Sequence, residues 1–148
     1  MSDMIERPII KFRKTSEDAI IPSYATDGSN GFDLYSMMDG KLRPGELMMI
    51  PLGVEAEIPK DWCVVFIGKS GLASREGIGI LGGLIDSDYR GEWHAILLNN
   101  KKQEEFVFHK RQKVVQGVIL YSPQAKIVEV DSLSETERGK SGFGSTGK

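Results

Sequence analysis

Hydrophobic positions in this chain fall in short runs separated by Gly, Pro, Asn and Asp. In order they are PIIKF, GFDLYS, LMMI, GVEAEI, CVVFIG, GGLIDS, WHAILL, EEFVFH, KVVQGVILYS and KIVEV. Runs of this length and spacing predict the strands of an all-β sandwich or barrel. Several are apolar on both faces. In WHAILL, Trp93, Ala95 and Leu97 point one way while Ile96 and Leu98 point the other. A strand apolar on both faces predicts a second sheet or another subunit. In KVVQGVIL, Val114, Gln116, Val118 and Leu120 share a face, where the Gln116 amide is either a satisfied core group or a ligand contact. Only SGLASREG, Ser70 to Gly77, predicts a helix, with Ser70 as its N-cap and Gly77 as its stop. The polar, glycine-rich end DSLSETERGKSGFGSTGK reads as an arm. These patterns predict one compact body, 1–131, and a flexible C-terminal arm, 132–148.

Composition narrows the function. A length of 148 residues fits one domain. A net charge of -2 argues against a general nucleic-acid binder, which needs a basic face. Cys63 is the only cysteine, so no internal disulfide forms and a reducing, cytoplasmic setting is expected. With His94 and His109 the only histidines, no zinc-ligand spacing arises. The start, MSDMIERPIIKFRK, lacks the apolar core of a signal peptide, and no run is long enough for a membrane span. Gly142 to Lys148 spells most of a phosphate-binding P-loop, but the Ser/Thr and helix that the motif needs do not follow.

Four stretches could carry chemistry. GGLIDSDYRGEW, Gly82 to Trp93, sets Asp86, Asp88 and Glu92 around a turn with Tyr89 and Arg90 between. It is either a β-hairpin with a charged, solvated tip or a ligand site. As a site, Gly82 and Gly83 let a flat ligand approach the backbone, Asp86 is a general base for a water, and Tyr89 packs on a sugar. GKSGLAS offers the backbone N–H groups of Ser70 and Gly71 plus the charge of Lys69, an anion site or a plain helix start. In GSNGFDLYS, Asp33 lies among apolar neighbours and needs a cation if buried. HKRQKVVQ brings Arg111, Lys113 and Gln116 to one strand and its approach, either a solvated basic edge or a ligand contact.

The order of these blocks, from Asn30 through RGKSGFGSTG at the end, resembles the trimeric dUTPases. The resemblance implies a jelly-roll-like β-barrel with one short helix, assembled as a homotrimer whose active sites are shared between subunits. It implies hydrolysis of dUTP to dUMP and pyrophosphate with Mg²⁺ on the triphosphate, which lowers dUTP and supplies dUMP for thymidylate synthesis. Neither nucleic acid nor a membrane is implied as a partner. Residue by residue, Asp86 matches the aspartate that orients the attacking water, and Tyr89 the tyrosine that leaves no room for a 2′-OH. Gly82, Gly83, Leu84 and Ile85 match the backbone that reads uracil, with His94 near the base. Lys69, Ser70, Gly71 and Gln116 match phosphate contacts, and Asp33 an acid that reaches Mg²⁺ through water. Arg138, Phe143, Gly144, Ser145 and Thr146 match an arm that closes over the nucleotide, with Phe143 on the uracil face. Lys69 stands where the family usually has Arg, and Leu81 where it usually has a small residue. The run Arg111 to Gln116 departs from the usual G-D-R-I-A-Q, with Arg111 the candidate replacement for the missing arginine. Two rivals are a dCTP deaminase of the same fold and a jelly-roll binding module without activity. The deaminase is disfavoured because IDSDYRGE stands where a proline-glycine-tryptophan turn and a catalytic Glu are expected.

Overall fold

The computed structural model describes residues 6–144. Among the described residues, twelve strands and one short helix build the body. The strands are β1 (Lys11–Lys14), β2 (Ser23–Tyr24), β3 (Phe32–Tyr35), β4 (Gly40–Leu42), β5 (Leu47–Pro51), β6 (Val54–Glu57) and β7 (Trp62–Ile67). After the helix α1 (Ser70–Glu76) come β8 (Ile78–Leu81), β9 (Leu84–Ile85), β10 (His94–Asn99), β11 (Phe106–Phe108) and β12 (Lys113–Tyr121). Every pairing among them is antiparallel. The largest sheet runs β2-β3-β12-β7-β9, a second runs β5-β10-β8, and β1-β6 and β11-β4 form two-stranded pieces. The all-β expectation holds, and the packed sheets enclose one apolar core.

That core follows from strand alternation. Trp93, Ala95 and Leu97 lie fully inside with Leu34, Leu42, Ile50, Val64 and Phe108. Ile96 and Leu98, on the other face of β10, are only half-buried in the single chain. Trp93 is wedged edge-on against Phe12 and Phe66, at centroid distances of 5.2 and 5.6 Å. Its indole N–H has no acceptor among the described residues.

Three local expectations change. A register shift between Lys113 and Val115 makes a bulge, so Val114 turns inward and is buried beside Val115 rather than continuing the Gln116 face. Ser70 is the first helical residue, not the cap. Lys69, with extended backbone at φ -79° and ψ 127°, is the cap, and its carbonyl accepts from Ala73 N–H at 2.9 Å. Gly77 does stop the helix, in the left-handed conformation at φ 63°. The run KIVEV forms no strand: residues 122–144 carry neither helix nor strand. Its apolar side chains stand in solvent, Ile127 at 94% exposure and Leu133 beyond it at 87%.

Candidate active site

The stretch from Leu81 to His94 passes between two sheets instead of forming a hairpin. β8 belongs with β10, whereas β9 pairs with β7. The crossing is made at Gly82 and Gly83, with φ of 63° and 104°. Phe66 N–H donates to the Gly83 carbonyl at 2.8 Å and pins the turn to β7. A Cβ at Gly83 would lie 3.0 Å from the Cβ of Phe66, in a backbone region that L-residues avoid, so glycine is required there. The chain then leaves β9 at Asp86 and turns back, with Tyr89 N–H donating to the Asp86 carbonyl at 3.2 Å. The Tyr89 hydroxyl donates to the Glu92 carbonyl at 3.1 Å. His94 opens β10 with Nδ1 3.0 Å from the same carbonyl. Because a carbonyl only accepts, a ring with a single proton carries it on Nδ1 and leaves Nε2 as an acceptor.

These residues enclose a cavity of about 280 Å³. Gly83, Leu84, Ile85, Asp86, Tyr89 and His94, all singled out in the sequence, line it together. Gly82 adjoins it without lining it. Met49, Leu81, Glu92 and Ile96 complete the wall. Met49 lies far away in sequence and reaches the site only because β5 pairs with β10, bringing Met49 opposite Ile96. The Asp86 residue is exposed and also borders a second, polar cavity of about 560 Å³ that includes Trp62 and Asp88.

A second group sits on the largest sheet. Asp33 of β3 lies opposite Gln116 of β12, and Gln116 lies opposite Ile67 at the end of β7. Gln116, half-buried, donates one amide N–H to the Gly68 carbonyl at 3.0 Å, which ties β12 to the approach to α1. Asp33 is only 4% exposed, and it is not left unpaired. Lys69 pairs with its Oδ1, and Lys113 with its Oδ2 at 2.8 Å. Burial pushes the Asp33 carboxyl upward, but hydrogen bonds from Lys113 and Lys69 outweigh it and hold the group below the usual carboxylate range. Lys113 is raised in turn by its bond to Asp33. Lys113, not Arg111, therefore serves as the basic partner on this edge. Arg111 donates instead to the Asp18 carbonyl at 3.1 Å. Ser70 and Gly71 follow directly on Lys69 at the start of α1.

The arm residues join neither group. Arg138 donates to the Ser141 carbonyl at 3.0 Å, a local turn. Phe143 is fully exposed and adopts a left-handed φ of 53°, with Gly144 beside it at 82°. Ser145 and Thr146 lie outside the described residues. Among the described residues no group of three or more His, Cys, Asp or Glu side chains could hold a metal ion. No helix among them is long and apolar enough to cross a membrane.

Comparison with known proteins bears on the chain as a whole. The family model for dUTPases matches residues 17–147. The deoxyuridine 5'-triphosphate nucleotidohydrolase of Nautilia profundicola is 45% identical over 141 residues, covering 94% of this chain and 99% of its own. The corresponding protein of Caldanaerobacter subterraneus is 39% identical over 145 residues, covering 94% and 97%. Among solved structures, a mutant Staphylococcus bacteriophage 80alpha dUTPase with dUpNHpp superposes with a TM-score of 0.87 at 22% identity, over 95% of this chain and 99% of that one. At that identity the superposition speaks to the fold.

Proposed function

The chain belongs to the dUTPase family, and from that premise we propose that it hydrolyses dUTP to dUMP and pyrophosphate. The observation that carries the reading is the cavity of about 280 Å³ in which Gly83, Leu84, Ile85, Asp86, Tyr89 and His94 meet. Its glycine turn and exposed strand end offer backbone donors and acceptors to a uracil edge, and the position of Tyr89 on the rim supports its reading as the deoxyribose contact.

In this reading Asp86 orients a water and accepts its proton. The water oxygen bonds to the α-phosphorus as the bond from that phosphorus to the bridging oxygen breaks. Pyrophosphate departs, and the proton passes from Asp86 to solvent. Lys69, Ser70, Gly71 and Gln116 hold the phosphates. The lysine acts as a point charge rather than a bidentate fork.

Mg²⁺ fits this chain as an ion carried by the triphosphate. Among the described residues the buried carboxylate near Lys69 is Asp33, and its oxygens keep lone pairs for a metal-bound water beyond their lysine partners. When bound, the ion neutralises phosphate charge. The arm, 132–148, closes over the nucleotide, with Arg138, Ser145 and Thr146 toward the γ-phosphate and Phe143 and Gly144 at the uracil. A homotrimer completes the site by bringing the nucleoside pocket, the phosphate group and the arm from three subunits. The half-open outer face of β10 and the exposed Ile127 and Leu133 support that assembly. A cytoplasmic setting completes the proposal, and the free, buried Cys63 is compatible with it.

A panel of nucleoside triphosphates with Mg²⁺ tests this reading. Pyrophosphate should appear from dUTP and not from dCTP, dTTP or UTP. Ammonia from dCTP would establish a deaminase, and no product from any of them would leave a binding module.

A further inference from the structure

We infer that Glu92 and Thr15 are positioning residues for the nucleoside pocket: they fix the carbonyl on which Tyr89 and His94 both bear, and so set the choice between deoxyribose and ribose. The inference rests on the reading of Tyr89 as the sugar contact.

One backbone atom, the Glu92 carbonyl oxygen, accepts from the Tyr89 hydroxyl at 3.1 Å and lies 3.0 Å from His94 Nδ1. Its place in space is set by the Glu92 side chain. Oε1 accepts from the Thr15 hydroxyl at 2.8 Å and from Gly53 N–H at 3.2 Å. Thr15 follows β1, and Gly53 lies in the link between β5 and β6. Those two segments are joined in turn, since Thr15 N–H donates to the Gly53 carbonyl at 2.9 Å. The next residue is held on both sides: Leu52 N–H donates to the Trp93 carbonyl at 2.9 Å, and Trp93 N–H to the Val54 carbonyl at 2.8 Å. Glu92 is thus the knot between β1, the β5–β6 link and the fully buried Trp93.

Gly91 gives a second, independent observation. A Cβ there would lie 2.5 Å from the Tyr89 hydroxyl oxygen and 2.7 Å from Cζ. The tyrosine ring therefore lies directly against the Gly91 backbone with its hydroxyl on Glu92. Tyr89 stands at the rim, 44% exposed, where a ring without such a seat would swing between rotamers. Excluding one hydroxyl from a sugar needs a wall fixed to a fraction of an ångström, which packing and supporting hydrogen bonds provide. Glu92 is not a solvated charge at a turn tip; it is the anchor of that wall.

The test compares kcat/KM for dUTP and UTP, with Mg²⁺, in wild type and variants. Glu92→Ala should lower the dUTP:UTP ratio about tenfold or more, the equivalent of one or two hydrogen bonds. Thr15→Val, a change at an exposed residue that leaves the fold intact, should lower it in the same direction by less. Glu92→Gln keeps an acceptor oxygen for both donors and should preserve the ratio. Tyr89→Ala should also lower the ratio, and adding Glu92→Ala to it should change little more, because both act through one wall. A general loss of packing would instead reduce both substrates alike and add to Tyr89→Ala. A wild-type ratio near one would sink the sugar reading and this inference together. A selective wild type whose ratio survives Thr15→Val and Glu92→Ala would overturn this inference alone.

Discussion

Asp86 is placed by backbone and not by side-chain partners. It follows the two-residue strand β9, and its carbonyl closes the turn to Tyr89, while its residue is exposed. A carboxylate that acts only on the attacking water matters more to the transition state than to binding. Asp86→Asn should lower kcat about 10²–10⁴-fold, as loss of a general base does, with KM little changed. Steady-state kinetics would read this, and near-normal turnover would remove Asp86 from the role. Asp33, by contrast, is held by side-chain partners. Its folded pKa lies below the ordinary 3.8, so the pair contributes stability that is fully present above that value. The contribution fades as pH falls through the folded pKa. Urea denaturation from neutral pH downward should show Asp33→Asn least stable relative to wild type near pH 7, as an order-of-magnitude reference, with the gap closing only in acid. A gap independent of pH would mean that the lysines contribute nothing through charge.

The proposed arm is the segment whose described structure differs most from the rest of the chain. Over its described residues, 132–144, it has no strand or helix, and its described hydrogen bonds are local turns around Thr136 to Ser141. Ordering such a segment costs roughly 1–2 kcal/mol per residue fixed. Stacking of Phe143 on a base would return about 1–3 kcal/mol, and anion contacts from Arg138 would add to it. A chain ending at Glu137 should therefore fold with an unchanged melting midpoint yet lose most dUTP hydrolysis. Calorimetry and a pyrophosphate assay on the same preparation would show it, and full activity would return the arm to a passive end. The elements also show what a sequence can disclose. The inward set Trp93, Ala95 and Leu97 was legible because period-two alternation is a local property. So was the gathering of residues 83–94, which are neighbours in the chain. The Val114 bulge was not legible, because it answers to pairing with β3. The Lys113–Asp33 pair is set by that same register. Thr15 meets Glu92 across a separation of 77 residues, which no local pattern signals. KIVEV has the composition of a strand, but within one chain it finds no neighbour to pair with.

At the scale of the whole molecule, apolar surface is left where a soluble monomer would hide it. Leu47 and Met49 of β5 stand 53% and 61% exposed, beside the half-open Ile96 and Leu98 of β10. Patches of this kind mark contact surfaces, and closed cyclic assembly is the ordinary way to cover them. Sedimentation in dilute solution should give three chain masses, and Met49→Lys should shift the molecule toward smaller species with less activity. A fully active monomer would contradict both the assembly and the shared sites. The molecule's two tryptophans report on different places. Trp93, sealed between Phe12 and Phe66, sits in a medium that cannot reorient around an excited indole, so its emission should lie toward the blue. Trp62 is half-exposed against Tyr121 and borders the polar cavity beside Asp86, so its emission should lie toward the red and be open to aqueous quenchers. Colour therefore separates two events that other probes merge: loss of the core moves the blue component, whereas arrivals at the Asp86 rim dim only the red one.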